Sequence, residues 1–177
     1  MLFPHTNSRR IELRPAGTED AAQAYEILFR LGTPGLPLID EFKETFGDRL
    51  SACFLVHRKD TGEAVGLSTL TTLQAAGHLR MEVSIASDAP AGIATDAHAL
   101  TANFAFAMWR VRKVYLHLTS PDTSSAGLPD EHSALLRPEA VLPDHVFARG
   151  RLWDSHVFTI HRSDWDTLGV DLLKQIT

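Results

Sequence analysis

A strand, a short loop, a long helix and a second strand follow one another in the middle of the sequence, and this unit constrains the fold more than any other feature. Residues 78–87 alternate apolar and polar side chains with the period of a strand. Residues 92–109 carry apolar side chains at helical spacing, and residues 112–120 have a strand pattern almost directly after them. We expect one mixed sheet in which the strands before and after the long helix splay apart at one end.

The flanking segments indicate further strands and helices. Thr18 is the expected N-cap of a first helix that ends near Gly32, and a second, shorter helix is expected over 38–48. Strands are predicted over 9–15, 51–58 and 63–72, the last two forming a hairpin, and a closing pair of strands is joined near Gly150. Apolar positions assigned to buried helix faces are, in order, Tyr25, Leu28, Phe29, Leu38, Phe42, Phe46, Ile93, Ala97, Leu100, Phe104 and Met108.

Residues 121–138 are broken by proline and glycine, although the stretch that begins at Pro129 could form two helical turns. No linker or internal repeat divides the chain. The prediction is therefore a single α+β (mixed α/β) domain over residues 1–177. Its central sheet is expected to be mostly antiparallel, with about six or seven strands flanked by helices.

Composition narrows the classes of function. Lys and Arg total 17 against 22 Asp and Glu, a formal charge of -5, which gives no electrostatic reason to bind nucleic acid. The single cysteine, Cys53, rules out an internal disulfide and cysteine-rich zinc frameworks, and it is expected to be a buried, unreactive residue. The sequence has neither a signal-peptide pattern nor an apolar run of membrane-spanning length. We expect a cytoplasmic protein with no membrane contact.

The start of the long helix is the first candidate binding feature. A helix N-terminus presents unpaired N–H groups and a partial positive charge, so it binds phosphate groups, and a glycine such as Gly92 lets the ligand approach the backbone closely. Glycine before a helix is common, so this signal alone is weak.

Five segments in the right order carry a resemblance that spans nearly the whole chain. They are IELRPAGTEDAAQAYEI, FLVHRKDTGEAVGLSTL, GIATDAHALTANFAFAMWRVRKVYLHL, LLRPEAVLPDH and LWDSHVFTIHRSDW, the last of which includes Trp165. Together they resemble the GNAT superfamily of acyl-CoA-dependent N-acyltransferases, and most closely the branch of the ribosomal-protein alanine acetyltransferases. The resemblance implies a GNAT fold and transfer of an acetyl or other acyl group from a CoA-type thioester to an amine, without a covalent enzyme intermediate or a metal.

The resemblance also implies roles for individual residues. Glu82 corresponds to an acidic residue whose carboxylate takes a proton from the attacking amine. Ser125, with Ser124 as the alternative, corresponds to a serine that protonates the departing thiolate. The pantetheine arm of the cofactor is expected to pair with the backbone of Val83, Ser84 and Ile85. Its pyrophosphate is expected at Gly92, Ile93 and Ala94, with Asp122 also beside the cofactor.

Two departures from the family pattern bear on the cofactor. Ala89 stands where the family has Gln or Arg, and the stretch from Val83 to Gly92 is about three residues short. Asp122 stands where the family often has Asn. We therefore expect weak binding of free CoA, and a thioester on a phosphopantetheinyl carrier protein is a second candidate donor.

Alternatives stay open at each of these positions. Glu82 is either the base or a strand residue in a salt bridge with Arg80 or Arg112, and Ser125 is either an acid or a turn serine. No histidine pair has metal-ligand spacing, but His145 and His156 could line an acceptor pocket, and Arg149 and Arg151 could attract an acidic acceptor. The acceptor is expected to be a small-molecule or peptide amine, and the protein a monomer or homodimer. A different class of function also stays open, in which the protein has this fold but is catalytically degenerate and binds a ligand or partner. A cleft filled by residues 120–138 would favour this interpretation.

Overall fold

One mixed sheet of seven strands organises the computed structural model, which describes residues 2–177 apart from the side chains of Ser124, Ser125 and Asp130. The sheet order is β1-β2-β3-β4-β5-β7-β6, and the pairing of β4 with β5 is parallel while the other pairings are antiparallel. The strands are β1 Ile11–Pro15, β2 Leu50–Arg58, β3 Ala64–Gln74, β4 His78–Ile85, β5 Lys113–Leu118, β6 Arg137–Ala148 and β7 Arg151–His161. The predicted mixed, mostly antiparallel sheet with flanking helices is confirmed.

Helices cover both faces of the sheet. They are α1 Ala21–Arg30, α2 Ile39–Thr45 and α3 Ile93–Met108, and a C-terminal helical segment runs through Arg162–Asp164, Trp165–Gly169 and Val170–Ile176. The larger core joins α3 and the C-terminal segment to one sheet face, and a smaller core joins α1 and α2 to the other. Within residues 2–177, no helix has both the length and the apolar character that crossing a bilayer requires.

The structure corrects several local predictions. The cap of the first helical turn is Gly17, whose N–H donates to the Asp20 carboxylate at 2.9 Å, so Thr18 already lies inside the turn. Phe29, Leu38 and Met108 are exposed by 68%, 79% and 52%, because each lies at a helix end, where the apolar stripe has turned away from the core.

The C-terminal helical segment was not predicted, since the sequence interpretation ended with two strands. Its apolar residues recur at helical spacing, and Trp165, Leu172, Leu173 and Ile176 are buried in the larger core. The helix widens to a π-type turn over Trp165–Gly169, where a side chain on Gly169 would run into the Trp165 indole. The glycine that obscures the helical pattern is therefore the residue that makes room for the tryptophan.

Residues 119–136, the connecting segment, form two short 3-10 helices, Thr123–Ala126 and Asp130–Leu135. Ala126 and Leu128 are buried in the larger core, which also contains α3. Pro129 caps the second short helix instead of occupying its first position. The second helix spans about two 3-10 turns, as expected of the stretch that begins at Pro129, and proline and glycine prevent a longer helix across the region.

Candidate active site

The separation of β4 from β5 creates the candidate site. The two strands pair only through His78–Lys113, Leu79–Val114 and Arg80–Tyr115, after which β4 continues to Ile85 with no β5 partner in the described register. The other edge of β4 stays paired with β3 as far as Ile85. The predicted splay is confirmed, and it leaves one backbone edge of β4 free to pair with an extended ligand.

A cleft of about 730 Å³ opens beside this free edge. Its walls come from β4, α3, the end of β5, the loop between α1 and α2, and the turn between β6 and β7. Of the described side chains in the connecting segment, only Thr119 contributes to the lining, so these side chains do not fill the cleft. The contributing residues are Leu31–Gly35, Glu82–Ile85, Ala94, His98, Thr119, Val146–Arg149 and Trp153.

Glu82 lies on the wall of this cleft, on the sheet face opposite the buried Met81. Its side chain is 56% exposed, and Oε2 is 3.4 Å from Nη2 of Arg80. Both interpretations of Glu82 therefore coexist in one geometry, because the carboxylate faces the cleft and is also the partner of a neighbouring arginine. The carboxylate is largely exposed to solvent.

The glycine at the start of α3 has the backbone geometry expected of it. Gly92 is the N-cap and has φ +88°, a conformation that other residues adopt at a cost. The N–H of Ile93 donates to Pro90 at 3.3 Å and the Ile93 side chain is buried in the core, whereas Ala94 lines the cleft. The structure therefore places Ala94 in one cleft with Val83–Ile85, while the predicted site residues Gly92 and Ile93 do not line it.

An ion pair that the sequence did not reveal lies against this helix start. Arg10 donates from Nε to Asp96 Oδ2 at 2.9 Å and from Nη2 to Oδ1 at 2.5 Å, and Ser8 donates its hydroxyl to Oδ2 at 2.6 Å. Asp96 is fully buried, and its hydrogen bond raises the pKa of the Arg10 guanidinium. A Cβ on Gly92 would lie 2.5 Å from Arg10 Cζ. Arg10 thus places a cation beside Gly92.

Ala89, the position at which the resemblance predicts Gln or Arg, turns inward. It is half-buried against the larger core, and its N–H donates to Ala86 at 3.0 Å. The loop before α3 therefore contains a compact turn, and its shortening relative to the family stays a prediction.

The connecting segment meets the first turn of α3 from another side. Thr95 donates its hydroxyl to the Gly127 carbonyl, and a Cβ on Gly127 would lie 2.8 Å from Ala94 Cβ. Asp122 is exposed, its N–H donates to Ser120 Oγ at 3.1 Å, and it does not line the cleft. Ser125 lies in the helix Thr123–Ala126, but its side chain, like that of Ser124, is outside the described part of the structure, so its role stays a prediction.

Among the histidines, His98 lines the cleft, while His145 and His156 do not, which corrects the expectation that these two would. Burial lowers the pKa of His98. Burial, and then the charges of Arg80 and His145, lower the pKa of His117. Across the described residues, no group of three potential ligands could hold a metal ion.

Cys53 and the two arginines of the β6–β7 turn have clear environments. Cys53 is buried, and desolvation raises the pKa of its thiol to about 12, as expected of an unreactive residue. Arg149 lines the cleft, whereas the Arg151 guanidinium lies over the Trp153 ring at 3.4 Å. Of these two arginines, only Arg149 lines the cleft.

No protein-family profile and no curated protein matches the sequence. Solved structures do match its fold. A variant of the spermidine N-acetyltransferase SpeG from Vibrio cholerae has a TM-score of 0.74 at 17% identity, over 89% of this chain and 96% of that one.

Two other acetyltransferases show the same likeness. A GCN5-related N-acetyltransferase from Brucella melitensis has a TM-score of 0.71 at 18% identity, over 94% of this chain and 82% of that one. A probable GNAT-family acetyltransferase from Chromobacterium violaceum has a TM-score of 0.69 at 20% identity, over 92% and 88%. The chain therefore has the GNAT fold, and the narrower resemblance to the ribosomal-protein alanine acetyltransferases stays a prediction.

Proposed function

We propose that this protein is an N-acyltransferase that moves an acetyl or other acyl group from a CoA-type thioester to an amine. The observation that carries the proposal is the free edge of β4 beside an open cleft that is also lined by Ala94, in the first turn of the glycine-capped helix α3. An extended pantetheine arm pairs with Val83–Ile85 as an added strand would, and the pyrophosphate approaches the N–H groups near Gly92 and Ala94.

The end of the cleft near the start of α3, where we place the thioester, is called the donor end. The charges there give it only a moderate attraction for anions. Arg10 is a cation beside Gly92, but Asp96 accepts two of its hydrogen bonds and offsets its charge. Pyrophosphate binding then depends mainly on backbone N–H groups, of which the compact loop offers few. We expect free CoA to bind more weakly than in typical members of this fold, with the pantetheine arm less affected.

Glu82 is positioned to accept a proton from the amine. An ammonium group has no lone pair, so it must lose one proton before its nitrogen attacks the thioester carbonyl. The Glu82 carboxylate lies on the cleft wall, and its hydrogen bond to Arg80 fixes its position while one oxygen remains available. Ser125 stays a candidate acid for the leaving thiolate.

The cleft favours an acceptor with a single amine. In the lining that the structure describes, Glu82 is the acidic side chain and Arg149 the basic one. Glu82 is already paired with Arg80, so a polycation would find no surplus of negative charge. A small molecule or peptide that carries one amine and an anionic group fits better, because Arg149 can pair with the anion.

Binding and turnover of acetyl-CoA test the proposal. We expect calorimetry to detect both acetyl-CoA and acetyl-pantetheine, and a thiol-release assay with a panel of monoamines to detect transfer. If neither ligand nor a carrier-bound thioester binds, the protein is the ligand- or partner-binding alternative. Low-micromolar acetyl-CoA affinity without pantetheine binding would instead show that the altered loop still grips pyrophosphate.

Replacement of the proposed base gives the matched test of mechanism. We expect Glu82→Gln to slow transfer about 100- to 10,000-fold while thioester affinity stays unchanged. Glu12→Gln is the control, because Glu12 is also a strand carboxylate bonded to an arginine two residues on, at 2.9 Å, but lies outside the cleft. Equal turnover in the two variants would remove Glu82 from the mechanism.

A further inference from the structure

His98 is a buried imidazole at the base of the cleft. It lies on α3, one turn after Ala94, and only 7% of the residue is exposed. Both His98 and Ala94 line the cleft opposite the free edge of β4. Its helix neighbours Ala97, Ala99 and Leu100 are fully buried in the core, so His98 is the polar group that α3 presents to this space.

One hydrogen bond fixes which nitrogen of His98 carries a proton. Nδ1 is 2.9 Å from the carbonyl oxygen of Ala94, and because a carbonyl oxygen only accepts, Nδ1 must be the donor. Desolvation lowers the pKa of His98, which favours the neutral ring. In that neutral tautomer Nε2 has a free lone pair.

Nε2 is open to the cleft. Nε2 has no hydrogen-bond partner among the described residues. Because it is also not one of the fully buried polar atoms that lack a partner, part of its surface is accessible to solvent. The cleft is the cavity that His98 lines. The structure therefore places a neutral base, with a fixed tautomer, beside the position proposed for the thioester.

We propose that His98 Nε2 carries the second proton of the reaction, from the amine nitrogen to the sulfur of the leaving group. This inference rests on the proposed acyl transfer. Glu82 takes the first proton from the ammonium group, and His98 serves after the nitrogen has attacked, as the alternative to Ser125 for protonating the leaving sulfur.

The step balances without any further reactant. The nitrogen lone pair forms the C–N bond, and the carbonyl π electrons move to oxygen, which leaves the nitrogen with one proton too many. The Nε2 lone pair takes that proton. The oxygen electrons then re-form the C=O bond while the C–S bond breaks with its electron pair on sulfur, and the imidazolium returns the proton to sulfur as thiol and amide leave.

Burial suits His98 to both halves of this transfer. The nitrogen of the tetrahedral adduct is acidic, so a weak base can take its proton, and an imidazolium disfavoured by desolvation gives that proton up readily to a thiolate. The other charged groups that face this space are Glu82 from β4 and Arg149 from the β6–β7 turn. Asp96, on α3 itself, is bonded to Arg10 and Ser8.

The test compares His98→Gln with His57→Gln. His57 is the matched control, because it is 8% exposed, its Nδ1 is 3.1 Å from the Gly62 carbonyl, and it lies on β2 outside the cleft. We expect His98→Gln to lower kcat about 100-fold or more, to leave acetyl-CoA affinity within about threefold, and to change the acidic limb of the pH–kcat profile. We expect His57→Gln to match the wild type in kcat and in that profile.

Each result decides the question. Wild-type kcat in His98→Gln overturns the relay, as does a change confined to KM, which would make His98 a binding residue. If the wild type transfers no acyl group, the proposed function fails and the relay fails with it. Should His98→Gln not fold, nitrogen NMR of the wild type decides instead, because a proton on Nε2 in the neutral ring would overturn the proposal, and an unprotonated Nε2 whose resonance shifts with acetyl-CoA would support it.

Discussion

The start of α3, whose Ala94 and His98 line the cleft, is held by side chains from distant parts of the chain that bond to one another, whereas the other side of the cleft is lined by two exposed turns. At this donor end, Arg10 reaches Asp96 across 86 residues of sequence, and Asp96 is fully buried. At the acceptor end, Gly32, Gly35 and Arg149 are exposed and Phe147 is 67% exposed. The comparison teaches that the donor end depends on the core of the protein, while the acceptor end can change without disturbing it.

The side chains of the two ends differ in the same way. The buried polar residues of α3, such as Asp96 and Thr101, bond to partners on other elements. In the β6–β7 turn, Trp153 donates to the Ala148 carbonyl at 3.0 Å and lies against Arg151, so its contacts are local. We therefore expect substitutions at the donor end to affect stability and thioester binding, and substitutions at the acceptor end to affect the choice of amine.

The largest expected difference concerns one arginine from each end. Arg10→Leu leaves a fully buried carboxylate without its cation, so the free energy of unfolding should fall by about 3 kcal/mol. Arg149→Leu removes an exposed side chain and should change it by less than about 0.5 kcal/mol. Urea denaturation of both variants measures the two values.

Arg9→Leu controls for the loss of one positive charge, because Arg9 is the exposed neighbour of Arg10. If Arg10→Leu costs no more than Arg9→Leu, the donor end is not held by its ion pair and the comparison fails. If Arg149→Leu raises KM for amines that carry an anionic group and leaves acetyl-CoA affinity unchanged, the acceptor end acts on the choice of amine alone, as the comparison predicts.

A smaller difference is expected for two glycines with left-handed backbones. Gly92 has φ +88° and Gly35 has φ +69°, so alanine at either position carries a backbone penalty of roughly 1–2 kcal/mol. A Cβ at Gly92 would also meet Arg10, whereas one at Gly35 would have nothing within 4 Å. We expect thermal denaturation to show Gly92→Ala as the less stable variant by about 1 kcal/mol or more, because displacing Arg10 weakens its charged hydrogen bonds.

Equal losses for the two alanine variants would mean that Arg10 moves aside freely. Weaker acetyl-CoA binding in Gly92→Ala alone would connect this packing to the donor. Gly35→Ala reports the backbone penalty by itself.

The sequence was sufficient for the sheet and the long helix because both depend on periodic apolar residues. The same periodicity of apolar residues predicted that Glu82 lies on the polar face of a strand and that Gly92 lies at the start of a helix. The sequence could not reveal that Arg10 pairs with Asp96, since nothing local links residues so far apart. The direction of His98 was missed because its contact with Ala94 is made only in the folded chain. The helix over residues 162–176 was missed although its apolar residues have helical spacing, because Gly169 interrupts the pattern.

The smallest expected effect is a dependence of stability on pH that arises at the donor end. Burial lowers the pKa of His98, so the folded protein binds a proton at this site less readily than the unfolded chain, whose histidine pKa is about 6.5. Above that pH both states are neutral at His98 and the residue has no effect. As the pH falls below it, only the unfolded chain gains the proton, so the free energy of unfolding falls.

His98→Gln should therefore lose less stability than the wild type between pH 7 and pH 5 in urea denaturation experiments. His5→Gln, at an exposed site outside the cleft, should follow the wild-type curve. Part of the loss should persist in His98→Gln, because burial also lowers the pKa of His117, and a variant that replaces both histidines should be flatter still. If His98→Gln follows the wild-type curve over this range, the imidazole is not held neutral by burial, and the donor end lacks the buried base that distinguishes it from the exposed turns opposite.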